Sequence, residues 1–91
     1  MDKVKIEAFL STPATALDGR VSRLIEEIED EFGDKVQVTI FGKDDELFKE
    51  YNLTMTPAVV IGEMIKMMGF CPSKESFLSA LCDMGLKYQK G

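Results

Sequence analysis

The sequence contains no histidine and only two cysteines, Cys71 and Cys82. These absences exclude the common zinc sites, cysteine–histidine dyads and serine–histidine–aspartate triads, each of which needs an imidazole or several thiolates. A metal would have to be held by oxygen alone, and the acidic clusters lack the spacing of a calcium loop. No metal and no cofactor is therefore expected. Long apolar runs are missing as well, so no membrane-spanning segment is expected. The stretch Met1-Asp2-Lys3-Val4-Lys5 lacks the apolar core and cleavage site of a secretory signal, and two cysteines make no disulfide framework. A cytoplasmic location is the expectation that follows.

Basic charge is also scarce. Eleven Lys and Arg against sixteen Asp and Glu leave a formal charge of −5, which disfavours nucleic acid and anionic membrane surfaces as partners. Arg20 and Arg23 lie three apart, but Glu26, Glu27, Glu29, Asp30 and Glu31 follow at once. That run reads as a solvated helix face. Apolar content, by contrast, is ample: 45% of the 91 residues, enough for one core and one domain spanning residues 1–91.

The periodicity places the elements. Lys3 to Leu10 alternates as a strand, with Val4, Ile6 and Ala8 on one side and Lys5, Glu7 and Phe9 on the other. Ser11-Thr12-Pro13-Ala14-Thr15 breaks the pattern and can open a helix, with Ser or Thr as cap and Pro in the first turn. Leu17, Val21, Leu24, Ile25, Ile28 and Phe32 then fall on one stripe of an amphipathic helix, closed by Gly33. Gly19 inside it costs roughly 1 kcal/mol relative to alanine. Val36 to Phe41 reads as a second strand. Asp45 to Tyr51 reads as a short helix capped by Asp44 or Asp45, and Asn52 to Pro57 as extended linker. The unbroken apolar run Ala58-Val59-Val60-Ile61 predicts a strand buried on both faces, turned by Gly62-Glu63 into a partner strand from Met64 to Met68. Ser73 is placed to cap a last helix whose inner side carries Phe77, Leu78, Leu81, Cys82 and Gly85 or Leu86. The polar tail, residues 87–91, is expected to fray.

The resulting order is β-α-β-α-β-β-α: an α/β chain with a central four-stranded mixed sheet and helices on both faces. Met55-Thr56-Pro57-Ala58-Val59-Val60-Ile61-Gly62 resembles the cis-proline motif of the thioredoxin fold. Gly69-Phe70-Cys71-Pro72-Ser73-Lys74-Glu75 is similar to the glycine-containing loop that introduces that fold's last helix. Nearly the whole chain resembles the short prokaryotic glutaredoxin-like thioredoxins, also called redox-active disulfide proteins. In that family the first strand runs into Cys-Pro-x-Cys. Here matching the proline puts Thr12 and Thr15 at the cysteine positions, and sliding by two puts Ala14 and Leu17 there. Neither alignment supplies a thiol. Dithiol exchange needs a low-pKa thiolate at a helix amino terminus and a resolving thiol one turn later, so an ordinary dithiol–disulfide oxidoreductase is not expected.

The resemblance implies a cis Thr56–Pro57 bond and a groove formed by Ser11, Thr12, Pro13, Ala14, Thr15, Thr56, Pro57 and Cys71. Thr56 could there pair with an extended segment of a partner by strand addition; alternatively Pro57 serves only the turn before the hairpin. Cys82 is expected as a buried small hydrophobe. Cys71 is either a space-filling loop residue beside Phe70 or an accessible thiol tuned by the nearby helix amino terminus. A Cys71–Cys82 bridge is not expected: the second lies about two turns into the helix, roughly 12–15 Å along its axis, whereas a disulfide needs Cα atoms within about 7 Å. Met55, Met64, Met67 and Met68 read as hairpin filler or as an adaptable surface that Phe9 and Phe70 could extend. Three functional readings result. The first is a redox-inactive module that binds a protein or extended peptide at the cis-proline groove. The second is a monothiol redox protein using Cys71, the sole catalytic candidate, for mixed-disulfide formation. The third is an accessory subunit acting in an oligomer.

Overall fold

Four strands, β1 (Val4–Leu10), β2 (Val36–Gly42), β3 (Ala58–Ile61) and β4 (Ile65–Met68), combine with three α-helices, α1 (Ala16–Phe32), α2 (Glu46–Glu50) and α3 (Lys74–Asp83). The structure, a computed structural model, describes residues 3–86. The sheet order is β2-β1-β3-β4. Strand β1 runs parallel to β2 and antiparallel to β3, and β3 runs antiparallel to β4. A parallel neighbour demands a crossover, and α1 supplies it. The antiparallel pair β3–β4 needs only the short turn of residues 62–64, where Gly62 and Glu63 adopt positive φ of 60° and 63°.

Two layers of side chains cover the sheet. On one face Ile6, Ala8, Val59 and Ile61 meet Val21, Ile25 and Ile28 of α1 and Phe77 and Leu81 of α3. On the other, Phe9, Ala58 and Val60 lie under Leu53, with Leu47, Phe48 and Tyr51 packed against them. Fully burying each of these large side chains stabilises the fold by about 1.5–3 kcal/mol. Phe9 is the centre of the smaller layer: it stacks on Phe41 at 5.0 Å and meets the edges of Phe48 and Tyr51. It is fully buried, so the expectation that it could extend an exposed surface is corrected. An alternating strand exposes one face only when nothing covers that face, and here α2 does.

Several further expectations change. Pro13 does not enter the first turn of α1; Thr15 is the cap and Ala16 the first helical residue, because Asp18 completes the capping arrangement from Thr15 rather than from Ser11 or Thr12. Strand β4 begins at Ile65, one residue later than expected, with Met64 in the turn. Cys82 is exposed, not buried. Helix α3 faces the sheet with Phe77, Ala80 and Leu81, and one further residue rotates Cys82 about 100° away. The methionines do not form one surface either. Met67 packs into the larger layer and Met68 into the smaller one. Met55 is exposed near Pro57 and Met64 is exposed in the turn at the opposite end of the sheet. The tail of residues 87–91 lies outside the described residues.

Candidate binding groove

The carboxyl-terminal end of β1 delivers Ser11 to the rim of the sheet, beside the segment that leads into β3. The peptide bonds before Pro13 and Pro57 are both cis. Ser11 Oγ and Thr56 Oγ1 are 2.5 Å apart and share a hydrogen bond. On the far side of this junction the Gly69 amide donates to the Pro57 carbonyl at 2.9 Å. Gly69 has φ of +80°, and the thioether of Met55 lies where a side chain at Gly69 would stand. The rim is thus tied together from the β1–α1 loop through Thr56-Pro57 to the β4–α3 loop.

Asp18 organises the amino terminus of α1. Its carboxylate accepts from the Ser11 amide at 2.9 Å, from the Thr15 amide at 2.7 Å and from the Thr15 hydroxyl at 2.7 Å. The Asp18 amide in turn donates to Thr15 Oγ1. Asp18 is 1% exposed. Burial pushes its carboxyl up, but the donors from Ser11 and Thr15 outweigh burial and hold it below the ordinary value. The Asp18 carboxylate ties the loop residue Ser11 to the cap residue Thr15, while Thr15 Oγ1 covers the Asp18 amide of the first turn. Asp18 was not singled out from the sequence, although Thr15-x-x-Asp18 before an apolar run is the spacing of a capping box.

A second buried carboxylate was also missed. Glu7 is 4% exposed and accepts from the Tyr51 hydroxyl at 2.6 Å. Burial, followed by that hydrogen bond and the Glu7 charge, holds the Tyr51 hydroxyl above its ordinary range. The two residues stand 44 apart, a pairing without local signal in the sequence.

Of the expected groove residues, Ser11 and Thr56 meet directly. Thr12, Pro13, Ala14 and Thr15 are exposed around them, and Pro57 is buried beneath. Cys71 is half-buried and lies against the first turns of α1, lining a cavity with Ala16, Gly19, Arg20 and Arg23. Its thiol donates to the Pro72 carbonyl at 3.6 Å. Cys71 and Cys82 are both free. Among the described residues no cluster of three potential metal ligands occurs, and no helix is long and apolar enough to cross a membrane.

A parallel β1–α1–β2 crossover, an antiparallel β3–β4 hairpin entered through a cis proline, and a closing α3 define a thioredoxin-like fold. Solved structures agree. The chain is similar to chloroplastic thioredoxin z, with a TM-score of 0.73 at 19% identity over 91% of this chain and 79% of that one. It is also similar to a malarial protein, with a TM-score of 0.75 at 11% identity over 93% of this chain and all of that one. No family model and no curated protein sequence matches it.

Proposed function

We propose that this chain is a binding module of the thioredoxin fold without dithiol redox activity, akin to the short glutaredoxin-like members, that takes an extended protein segment at the rim formed by Ser11–Thr15 and Thr56-Pro57. One observation carries the reading. Among the described residues, the main-chain N–H and C=O of Thr56 have no hydrogen-bond partner, while Met55 and Phe70 beside them are 51% and 50% exposed. Free backbone groups between two apolar side chains supply both parts of strand addition: main-chain pairing for affinity and apolar contacts for selection. No thiol stands at the amino terminus of α1, which leaves that end without dithiol chemistry.

Random extended peptides displayed on phage and panned against the protein test this. Enriched sequences should bind wild type, lose at least tenfold in affinity with Met55→Asp or Phe70→Asp, and be unaffected by Met64→Asp at the other end of the sheet. Failure to enrich any sequence, or equal loss from all three variants, would refute the groove.

A further inference from the structure

Outside the groove, a cavity of about 380 Å³ opens between α1 and Cys71. That volume lies within the ordinary range for small-ligand sites. Three observations set it apart. Arg20 and Arg23 line it, and among the described residues neither makes an ion pair, although Glu27 lines the same cavity one turn beyond Arg23. In a chain of net charge −5, two guanidinium groups face one opening. Its floor is bare: Ala16 carries one methyl, and Gly19 has nothing within 4 Å of where a Cβ would stand. A glycine inside a helix is destabilising, and neither packing nor φ requires one at position 19. Finally, Cys71 stands in the wall and takes part in no disulfide.

We infer that this cavity is a site for a small carboxylate-bearing disulfide, in which Arg20 and Arg23 hold the carboxylates and Cys71 takes up half of the molecule as a mixed disulfide. The inference does not rest on the peptide groove. Cys71 loses its proton to solvent, and its thiolate attacks one sulfur of the ligand. The Cys71–sulfur bond forms as the ligand's own S–S bond breaks, and the other half departs as a thiolate that is protonated by solvent. Cys71 is oxidised, the departing sulfur is reduced, and the ligand is the oxidant. Arg20 and Arg23 are positioning residues: they raise the local concentration of the anionic ligand and do not take part in the exchange.

Cys82 is an internal control, an exposed thiol beside Asp83 in the same molecule. The reduced protein would be exposed separately to dithiodipropionate (anionic), hydroxyethyl disulfide (neutral) and cystamine (cationic), with modification at each cysteine followed by peptide mass. Two nearby positive charges should make Cys71 react roughly tenfold faster with the anionic than with the cationic probe at low salt, while Cys82 shows no such preference. The Cys71 preference should vanish in R20Q/R23Q. It should also vanish in the wild type at ~1 M salt, where the screening length is about 3 Å. Equal rates for the three probes at Cys71, or a Cys71 inert while Cys82 reacts, would overturn the assignment. The salt dependence of the unaltered protein decides the matter even if the double variant folds poorly.

Discussion

Replacing Asp18 by asparagine changes almost no volume and tests what organises the amino terminus of α1. The carboxylate accepts three hydrogen bonds, one on Oδ1 from Ser11 and two on Oδ2 from Thr15. Asparagine keeps one acceptor oxygen. If that oxygen faces Thr15, the amide NH₂ meets the Ser11 N–H, donor against donor; the reverse orientation abandons both Thr15 donors. Hydrogen bonds to a charged group contribute about 1.5–3 kcal/mol each, and the negative charge near the helix amino terminus adds about 0.3–1 kcal/mol. Part of the loss is recovered because Ser11 and Thr15 sit near solvent. D18N should therefore cost about 2–3 kcal/mol at neutral pH, measured by urea unfolding followed by far-ultraviolet circular dichroism. The penalty should also depend on pH with a definite sign. The folded-state pKa of Asp18 lies below the ordinary value of 3.8, so its stabilisation is complete above that value and fades as pH falls through the lower folded-state value. The difference between wild type and D18N should shrink in the same window. A D18N variant within about 0.5 kcal/mol of wild type at neutral pH, the scatter of ordinary surface substitutions, would refute the account of Asp18 as the organiser of this helix end.

Three other outcomes are expected. Tyr51→Phe strips a buried carboxylate of its donor and should destabilise by about 1.5–3 kcal/mol in the same urea assay. The Tyr51 hydroxyl is held above its ordinary value of 10.0, so wild-type stability should fall as pH rises beyond that value, and the alkaline decline should be shallower in Y51F. Gly19→Ala meets no atom within 4 Å and should stabilise by about 0.5–1 kcal/mol, raising Tm by several degrees; a lower Tm would show that the cavity floor is tighter than the structure has it. Phe77→Ala empties a fully buried site between α3 and the sheet and should cost about 3–5 kcal/mol, with partial unfolding visible by circular dichroism at ambient temperature.

Much of the architecture was legible because it rests on local periodicity. The stripe of α1 and the unbroken run Ala58–Ile61 both identify their element without reference to the rest of the chain, and the same holds for Gly33 as a helix stop and Ser73 as a cap. The misreadings share a cause. Periodicity identifies a face of a strand or helix but not whether another element covers it, which is why Phe9 is buried rather than available to a surface and Cys82 is exposed rather than buried. The capping box was readable from Thr15-x-x-Asp18, yet its consequence, a carboxylate occupying the helix end and reaching Ser11, requires the loop to fold back seven residues.

From sequence alone came the order of elements and the absence of a thiol from the β1–α1 loop. These depend on residue identity and on neighbours within a few positions, where covalent geometry limits the choices. The Ser11–Thr56 junction, the Glu7–Tyr51 pair and the cavity joining Arg20 and Arg23 to Cys71 were decided by tertiary structure. Each brings together groups more than forty residues apart in the chain, through the packing of α1, α2 and the hairpin on one sheet, and no local preference records where such surfaces meet.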